Sequence, residues 1–141
     1  MSNYFVVDAS VWVARLIDQD VFHDLSRKWL DTQRAQGVQF VAPTLLLVEV
    51  AAAISRRTGN SKLAQKAVEA LENLPDLRLV EMDHSVVQTA VRVGSDLGVR
   101  GADAIYIAIA QQLSLPLVTL DQDQSVRAAR VVETLVIDET R

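Results

Sequence analysis

The chain of 141 residues contains no cysteine. This absence excludes disulfide bonds, thiolate metal ligands and cysteine nucleophiles. Histidine is scarce as well, and we expect both histidines, His23 and His84, at surface or helix-capping positions. Ser10 lacks the Gly-x-Ser-x-Gly motif and a suitably placed histidine, which argues against a serine hydrolase. The glycine-rich phosphate loop of nucleoside triphosphatases is also missing.

Long hydrophobic runs are missing too. The longest apolar stretches are about ten residues, whereas a membrane-spanning helix needs about 20. The segment Met1-Ser2-Asn3-Tyr4 lacks the basic residues that open a secretory signal. We therefore expect a cytoplasmic protein that makes no membrane contact.

Positive charge is sparse, with three lysines, eleven arginines and a net charge of −4. This balance argues against broad, nonspecific phosphate binding. It is compatible with a nucleic-acid enzyme in which a metal supplies positive potential locally. Five arginines are candidate phosphate contacts, and the alternative for each is a position on a solvated helix surface: Arg56, Arg57, Arg100, Arg127 and Arg130.

Strand-like and helix-like segments alternate along the chain. Short apolar strands are predicted at residues 4–7, 38–42, 77–80, 117–120 and 135–137. Helical spacing of apolar residues marks the segments 21–36, 43–57, 64–74, 86–97, 102–110 and 124–130. Such alternation predicts a three-layer α/β/α sandwich around a parallel sheet of about five strands. With half of its residues hydrophobic, the chain is expected to form one domain over residues 1–141.

Four carboxylates interrupt the most apolar stretches: Asp8, Glu49, Asp103 and Asp121. An ionised carboxylate that is removed from water without a partner costs several kcal/mol or takes up a proton. A shared divalent cation is the simplest common compensation. Because histidine and cysteine ligands are lacking, oxygen ligands favour Mg²⁺ or Mn²⁺ over Zn²⁺.

For three of these acids, a simpler explanation of the position exists that needs no metal; for Glu49 none is found in the sequence. Asp8 and Asp121 follow predicted strands, where an aspartate commonly caps the next helix. Asp103 suits the first turn of a helix and follows Arg100 by three residues. Glu49 has no charged residue three or four positions away, so it needs a partner from elsewhere in the fold.

In sequence, the chain resembles the PIN-domain family of metal-dependent nucleases, and within it the VapC-type toxins of toxin–antitoxin pairs. The matching segments occur in the family's order and span nearly the whole chain: Val7-Asp8-Ala9-Ser10-Val11, Val48-Glu49-Val50-Ala51-Ala52-Ala53-Ile54, Arg100-Gly101-Ala102-Asp103-Ala104 and Leu117-Val118-Thr119-Leu120-Asp121. Each motif alone is weak, whereas four in order are fairly specific.

The resemblance implies a Mg²⁺- or Mn²⁺-dependent endoribonuclease whose partners are an RNA substrate, a cognate antitoxin protein and a second copy of the chain. It assigns Asp8, Glu49, Asp103 and Asp121 as the acidic quartet. Asp123 shares or replaces the role of Asp121 in an alternative assignment. Ser10 and Thr119 match the hydroxyl positions that support the acids.

Two competing hypotheses remain. One is a PIN-like module that binds RNA or protein without turnover. The other is a phosphoryl-transfer domain of the receiver type, which needs a lysine near its acids, whereas Lys28, Lys62 and Lys66 lie on polar helical stretches. Tyr106 follows Asp103 by three positions, so it either borders the acidic site or packs in the core, and core packing is the favoured interpretation.

Overall fold

Five strands and seven helices alternate in a computed structural model of the chain, which describes residues 3–138. The strands are β1 (Tyr4–Val7), β2 (Gln39–Pro43), β3 (Leu77–Val80), β4 (Leu117–Thr119) and β5 (Thr134–Val136). The helices are α1 (Ala9–Leu16), α2 (His23–Ala35), α3 (Leu45–Thr58), α4 (Ser61–Glu72), α5 (His84–Leu97), α6 (Gly101–Leu113) and α7 (Gln122–Ala128).

All neighbouring strands of the sheet are parallel, in the order β3-β2-β1-β4-β5. The chain first moves outward from β1 through β2 to β3, and then returns to place β4 on the other side of β1. Strand order therefore reverses between β1 and β4. In open α/β sheets, ligands bind beyond the carboxyl ends of the strands at such a reversal.

The central strands consist of apolar residues because both faces of the sheet are covered. Val6 and Val7 of β1 and Leu117 and Val118 of β4 have no exposed surface. Helix α6 is buried nearly all round over its apolar centre and packs against β1, β2 and β4. A helix with this composition is stable only inside a layered fold. Packing in the core therefore fixes the position of α6.

The five-stranded parallel α/β fold confirms the fold class expected from the sequence. The structure adds helix α1, which no predicted segment covers. Its sequence, Ser10-Val11-Trp12-Val13, favours a strand by local propensity. Capping by Asp8 and packing against α2 and α3 favour the helix instead. Element boundaries differ by up to three residues elsewhere, the largest shifts being the start of α4 and the end of α6.

Within residues 3–138, none of the helices combines the length and the apolar character needed to cross a membrane.

Candidate active site

The acidic residues meet at the edge of the sheet where β1 and β4 end. Asp8 directly follows β1 and caps α1, while Asp121 lies two residues after β4 and caps α7. Both capping explanations are therefore correct. Asp121 Oδ1 accepts the backbone N–H of Gln124 at 3.1 Å. Because the helices begin at the point of strand reversal, the caps also turn these carboxylates toward the crevice.

Asp8 is a buried carboxylate held by hydroxyl groups. Its side chain accepts the Ser10 hydroxyl at 2.7 Å, the Ser10 backbone N–H at 3.4 Å and the Thr119 hydroxyl at 3.2 Å. All three bonds reach Oδ2, and within residues 3–138 none reaches Oδ1. Only 6% of the residue is exposed. One oxygen is thus fixed by the protein and the other remains for a ligand.

Thr119 connects the ends of β1 and β4. Its hydroxyl oxygen accepts the backbone N–H of Asp121 at 3.0 Å and lies 2.9 Å from Oε1 of buried Gln124. The single hydroxyl hydrogen is therefore shared between Gln124 and Asp8. Ser10 makes a parallel connection, because its hydroxyl oxygen accepts the N–H of Leu120 at 3.3 Å.

Glu49, the fifth residue of α3, receives its partner from another helix. The Tyr106 hydroxyl on α6 donates to Glu49 Oε1 at 2.8 Å, and Tyr106 has no exposed surface. The expectation of core packing is correct for the ring but omits the hydroxyl group. The signal was present in the sequence, since residues three apart share a helix face and Tyr106 follows Asp103 by three.

Asp103 and Asp121 are connected by an arginine. Arg100 Nε donates to Asp103 Oδ2 at 3.2 Å, and its terminal nitrogen lies 3.5 Å from Asp121 Oδ2. The side chain of Arg100 is 79% exposed, whereas those of Asp103 and Asp121 are 14% and 38% exposed. The ion pair expected between Arg100 and Asp103 is present, and the same guanidinium also reaches the fourth acid.

Asp123 lies farther out, on the first turn of α7. Its side chain is 77% exposed and pairs with Arg127 at 3.2 Å. Asp121, by contrast, is bonded through its backbone to Thr119 and so to the same network as Asp8. Hydrogen bonds through Thr119 therefore connect Asp121 to Asp8, whereas the Asp123 side chain pairs with Arg127.

Burial determines the electrostatics of the inner carboxylates. It raises the pKa of Asp8 above its ordinary value, and the Asp103 carboxylate raises it further, against the hydrogen bonds from Ser10 and Thr119. Burial likewise raises the pKa of Glu49, with smaller contributions from Asp8 and Asp103 opposing the Tyr106 hydrogen bond. Repulsion among three acids is thus real, although loss of hydration is the larger cause.

Comparison with protein families identifies the chain by sequence, since the family model of the PIN domain matches residues 5–130. The chain belongs to the PIN domain family. No curated protein matches it in sequence.

Solved structures show the same PIN fold. VapC20 of Mycobacterium tuberculosis, a toxin that cleaves the sarcin–ricin loop, has a TM-score of 0.76 over 92% of this chain and 97% of its own, at 21% identity. VapBC2 of Rickettsia felis, bound to promoter DNA, gives 0.71 over 96% and 99% at 13% identity. FitAcB of Neisseria gonorrhoeae gives 0.69 over 93% and 96% at 21% identity. At these identities the similarity establishes the fold.

The donor set of this PIN domain fits a hard cation, although no ready-made cage is present. Between residues 3 and 138, no three acidic or histidine side chains lie close enough together to coordinate one ion. Mg²⁺ keeps several water ligands and commonly binds through one or two carboxylates. Asp8 Oδ1, which accepts no hydrogen bond from the described residues, and the second oxygen of Glu49 are suitable donors.

The two histidines lie away from the acids. His23 begins α2, and its ring contacts the carbonyl of Ala14 at 2.9 Å, so it joins α2 to α1. His84 is exposed at the start of α5. Neither contacts the four acids among the described residues. His84 lies at the surface as expected, whereas the His23 side chain is only 17% exposed and is not the N-cap of α2, so the expected surface or capping position is wrong for His23.

Two open depressions flank the acids and share Asp121. The first, the α3 groove, has a volume of about 600 Å³, and its lining includes Ser10, Val48, Glu49 and Arg56. The second, the arginine pocket, has about 290 Å³, and its lining includes Arg100, Asp103, Asp123, Gln124 and Arg127. The acidic residues therefore lie between an apolar groove and a polar pocket.

Proposed function

We propose that this protein is a divalent-metal-dependent endoribonuclease and the toxin of a toxin–antitoxin pair. The observation that carries the proposal is the state of Asp8. This carboxylate is buried at the point of strand reversal, lies near two further acids, and has hydrogen bonds on only one oxygen. Such a group needs a cation, and membership of the PIN domain family makes phosphodiester hydrolysis the expected chemistry.

Asp8, Glu49, Asp103 and Asp121 would hold Mg²⁺ or Mn²⁺ directly or through water ligands of the ion, since no three of the described acidic side chains lie close enough together to coordinate it at once. When bound, the ion lowers the pKa of water and neutralises charge on the scissile phosphate. Ser10 and Thr119 fix the position of Asp8, and Tyr106 fixes that of Glu49. Hydrolysis adds the oxygen of water to phosphorus and breaks the bond to the 3′ oxygen, leaving a 5′-phosphate and a 3′-hydroxyl.

The substrate is RNA, recognised in single-stranded or loop segments. In such segments the backbone and the bases are accessible to a shallow protein surface, whereas the major groove of an A-form helix is closed to side chains. The α3 groove and the arginine pocket together form an open path past the acids rather than an enclosed cavity. An open path suits a strand that enters and leaves the site.

Cleavage of RNA with Mg²⁺ or Mn²⁺ tests the proposal. EDTA removes the metal, Asp8→Asn removes the carboxylate, and each should abolish cleavage. Asp24→Asn is the matched control, because the Asp24 side chain is 90% exposed on α2. Activity is expected only with metal and an intact Asp8. Activity that survives both EDTA and Asp8→Asn contradicts the mechanism. A wild-type chain that binds RNA with metal but never cleaves it supports the alternative of a binding module.

The antitoxin partner would occupy the α3 groove. Phe22 and Val48 there are 44% and 65% exposed, and Arg56 provides a cation beside them. An amphipathic antitoxin segment with an acidic side chain would cover these residues and block access to Glu49. Co-purification with the product of a short neighbouring reading frame tests this assignment. Val48→Asp should abolish the complex, and the wild-type complex should cleave RNA more slowly than the free chain.

A second copy of the chain would pack on the α5–α6 face. Val87 and Val91 of α5 are 40% and 62% exposed next to half-buried Ile105 of α6. Size-exclusion chromatography with light scattering should report a dimer. A strictly monomeric mass at all concentrations contradicts this part of the proposal.

A further inference from the structure

We propose that Arg100 is a phosphate-binding residue. In the metal-free protein its guanidinium pairs with two of the protein's own carboxylates, those of Asp103 and Asp121. The inference rests on the proposed function and adds to it a substrate contact: a backbone phosphate of single-stranded RNA, bound in the arginine pocket next to the cation. Arg100 then exchanges one negative partner for another, Asp103 and Asp121 before the cation binds and RNA afterwards.

The contacts of Arg100 distinguish it from the other arginines near the site. Arg57 lines the α3 groove and pairs with largely buried Asp20 at 2.9 Å, and Arg56 lines the same groove without an ion pair among the described residues. Arg127 pairs with Asp123 and also donates to the carbonyl of Leu97 at 3.2 Å, at the end of α5. Among the arginines of the described residues, Arg100 is the one that pairs with two of the four acids.

The partners of Arg100 are the proposed metal ligands themselves. Its guanidinium contacts Asp103 at 3.2 Å and Asp121 at 3.5 Å. A divalent cation bound to these oxygens neutralises them and repels the guanidinium. Since the Arg100 side chain is 79% exposed, it loses little packing when it turns outward, and it then offers a planar fork that matches two phosphate oxygens.

The position of Arg100 places its guanidinium beside the proposed path of the RNA. The residue precedes α6 directly and lines the arginine pocket, which meets the α3 groove at Asp121. A strand that presents one phosphate to the acids places a neighbouring phosphate in this pocket.

The test measures metal binding and RNA binding separately in wild type, Arg100→Gln and Arg130→Gln. Arg130 is the matched control because it is exposed and lines neither depression. Mn²⁺ affinity is measured by calorimetry without RNA. RNA affinity is measured by fluorescence anisotropy with a labelled single-stranded 20-nucleotide RNA of mixed sequence in Ca²⁺, with gel analysis to show that it stays intact.

For Arg100→Gln, the expected Mn²⁺ affinity is unchanged or up to about fivefold tighter, the range of an exposed ion pair. RNA affinity should fall about tenfold, as for one charged hydrogen bond, and the slope of log affinity against log salt should become shallower by about 0.7. Arg100→Lys should restore the slope, because it restores the charge. Arg130→Gln should match wild type.

Two results overturn the inference while leaving the proposed function intact. A parallel loss of Mn²⁺ affinity means that Arg100 positions the acids. Unchanged RNA affinity and salt slope mean that it is a counter-ion only. If wild type itself binds neither Mn²⁺ nor the RNA, the proposed function fails and this inference fails with it.

Discussion

The acidic site contains two pairs of carboxylates that the protein stabilises in opposite ways. The inner pair, Asp8 and Glu49, accepts hydrogen bonds from the neutral hydroxyls of Ser10, Thr119 and Tyr106. The outer pair, Asp103 and Asp121, is bridged by the charged guanidinium of Arg100. Hydroxyl groups orient a carboxylate but leave its net charge in place, whereas an arginine neutralises it.

This difference indicates which part of the site would bind a cation most strongly under the proposed function. Burial raises the pKa of both inner carboxylates, and no cationic side chain of residues 3–138 pairs with either of them. The single guanidinium of Arg100 offsets one of the two charges of the outer pair. Under the proposed function, a metal ion would bind first at the inner pair, and the outer pair would release the arginine when that ion arrives.

The largest expected effect is the loss of the inner carboxylate at the strand reversal. Asp8→Asn should lower kcat/KM for RNA by about 10³, since it removes the charge that holds a Lewis acid worth several kcal/mol. Asparagine retains an oxygen for capping α1, so the metal-free variant should melt at or above the wild-type temperature. A large drop in melting temperature would mean that Asp8 stabilises the metal-free fold, which contradicts an uncompensated negative charge at the inner pair.

Removing one hydroxyl should reveal how the inner pair is held. Tyr106→Phe deletes only the donor to Glu49, and loss of such a supporting contact typically lowers metal affinity by about 10- to 100-fold. Stability should change by only about 1 kcal/mol, because Glu49 is half-buried and water can replace the donor. Calorimetry with Mn²⁺ and thermal unfolding measure the two quantities.

Ser95→Ala is the control for this hydroxyl deletion, because the Ser95 hydroxyl bonds only the carbonyl of Val91 on the exposed side of α5. It should bind Mn²⁺ like wild type. If Tyr106→Phe binds Mn²⁺ as tightly as this control does, Glu49 is positioned by packing alone.

The inner pair also predicts a pH dependence of stability. In the folded chain the pKa of Asp8 and of Glu49 lies above the ordinary values of 3.8 and 4.5. Between those values and the raised ones, the folded state binds more protons than the unfolded state. The free energy of unfolding therefore rises as pH falls through this window and decreases as pH rises through it.

Melting temperatures in EDTA at several pH values measure this effect. The wild type should gain stability relative to Asp8→Asn as pH is lowered toward the ordinary Asp8 pKa of 3.8, by a few °C if about 1 kcal/mol is involved. Saturating Mn²⁺ should abolish the relative gain, because the ligands must be deprotonated to bind it. A wild type that loses stability relative to the variant on acidification contradicts the raised pKa of Asp8.

The sequence was sufficient for the fold because its signals are periodic and local. Apolar runs alternate with helical stripes, and five parallel strands follow from them. Helix α1 escaped prediction because Val11, Trp12 and Val13 favour a strand, and only packing against distant helices decides the matter. Pattern alone could place Asp8 and Asp121 at strand ends, where the strand order then brings them together.

Residue spacing predicted the partners of the acids only where the two residues are close in sequence, whereas Thr119 was assigned through the resemblance to the PIN-domain family. Arg100 and Asp103 are three residues apart, and their ion pair was expected. Tyr106 and Glu49 are separated by 57 positions, and Thr119 and Asp8 by 111. Such contacts depend on how helices pack on the sheet, which apolar spacing does not encode.

The smallest expected effect decides between Asp121 and Asp123 as the fourth acid. Asp123→Asn should leave kcat/KM within about twofold of wild type and cost no more than about 0.5 kcal/mol of stability, because its pair with Arg127 is solvent-exposed. Asp121→Asn keeps the capping oxygen of α7 but should lower kcat/KM by about tenfold, as expected for a weakened metal ligand. Parallel kinetics of the two variants measure the difference. If Asp123→Asn is the more damaging of the two, the outer pair includes Asp123, and the bridge from Arg100 to Asp121 does not mark a metal ligand.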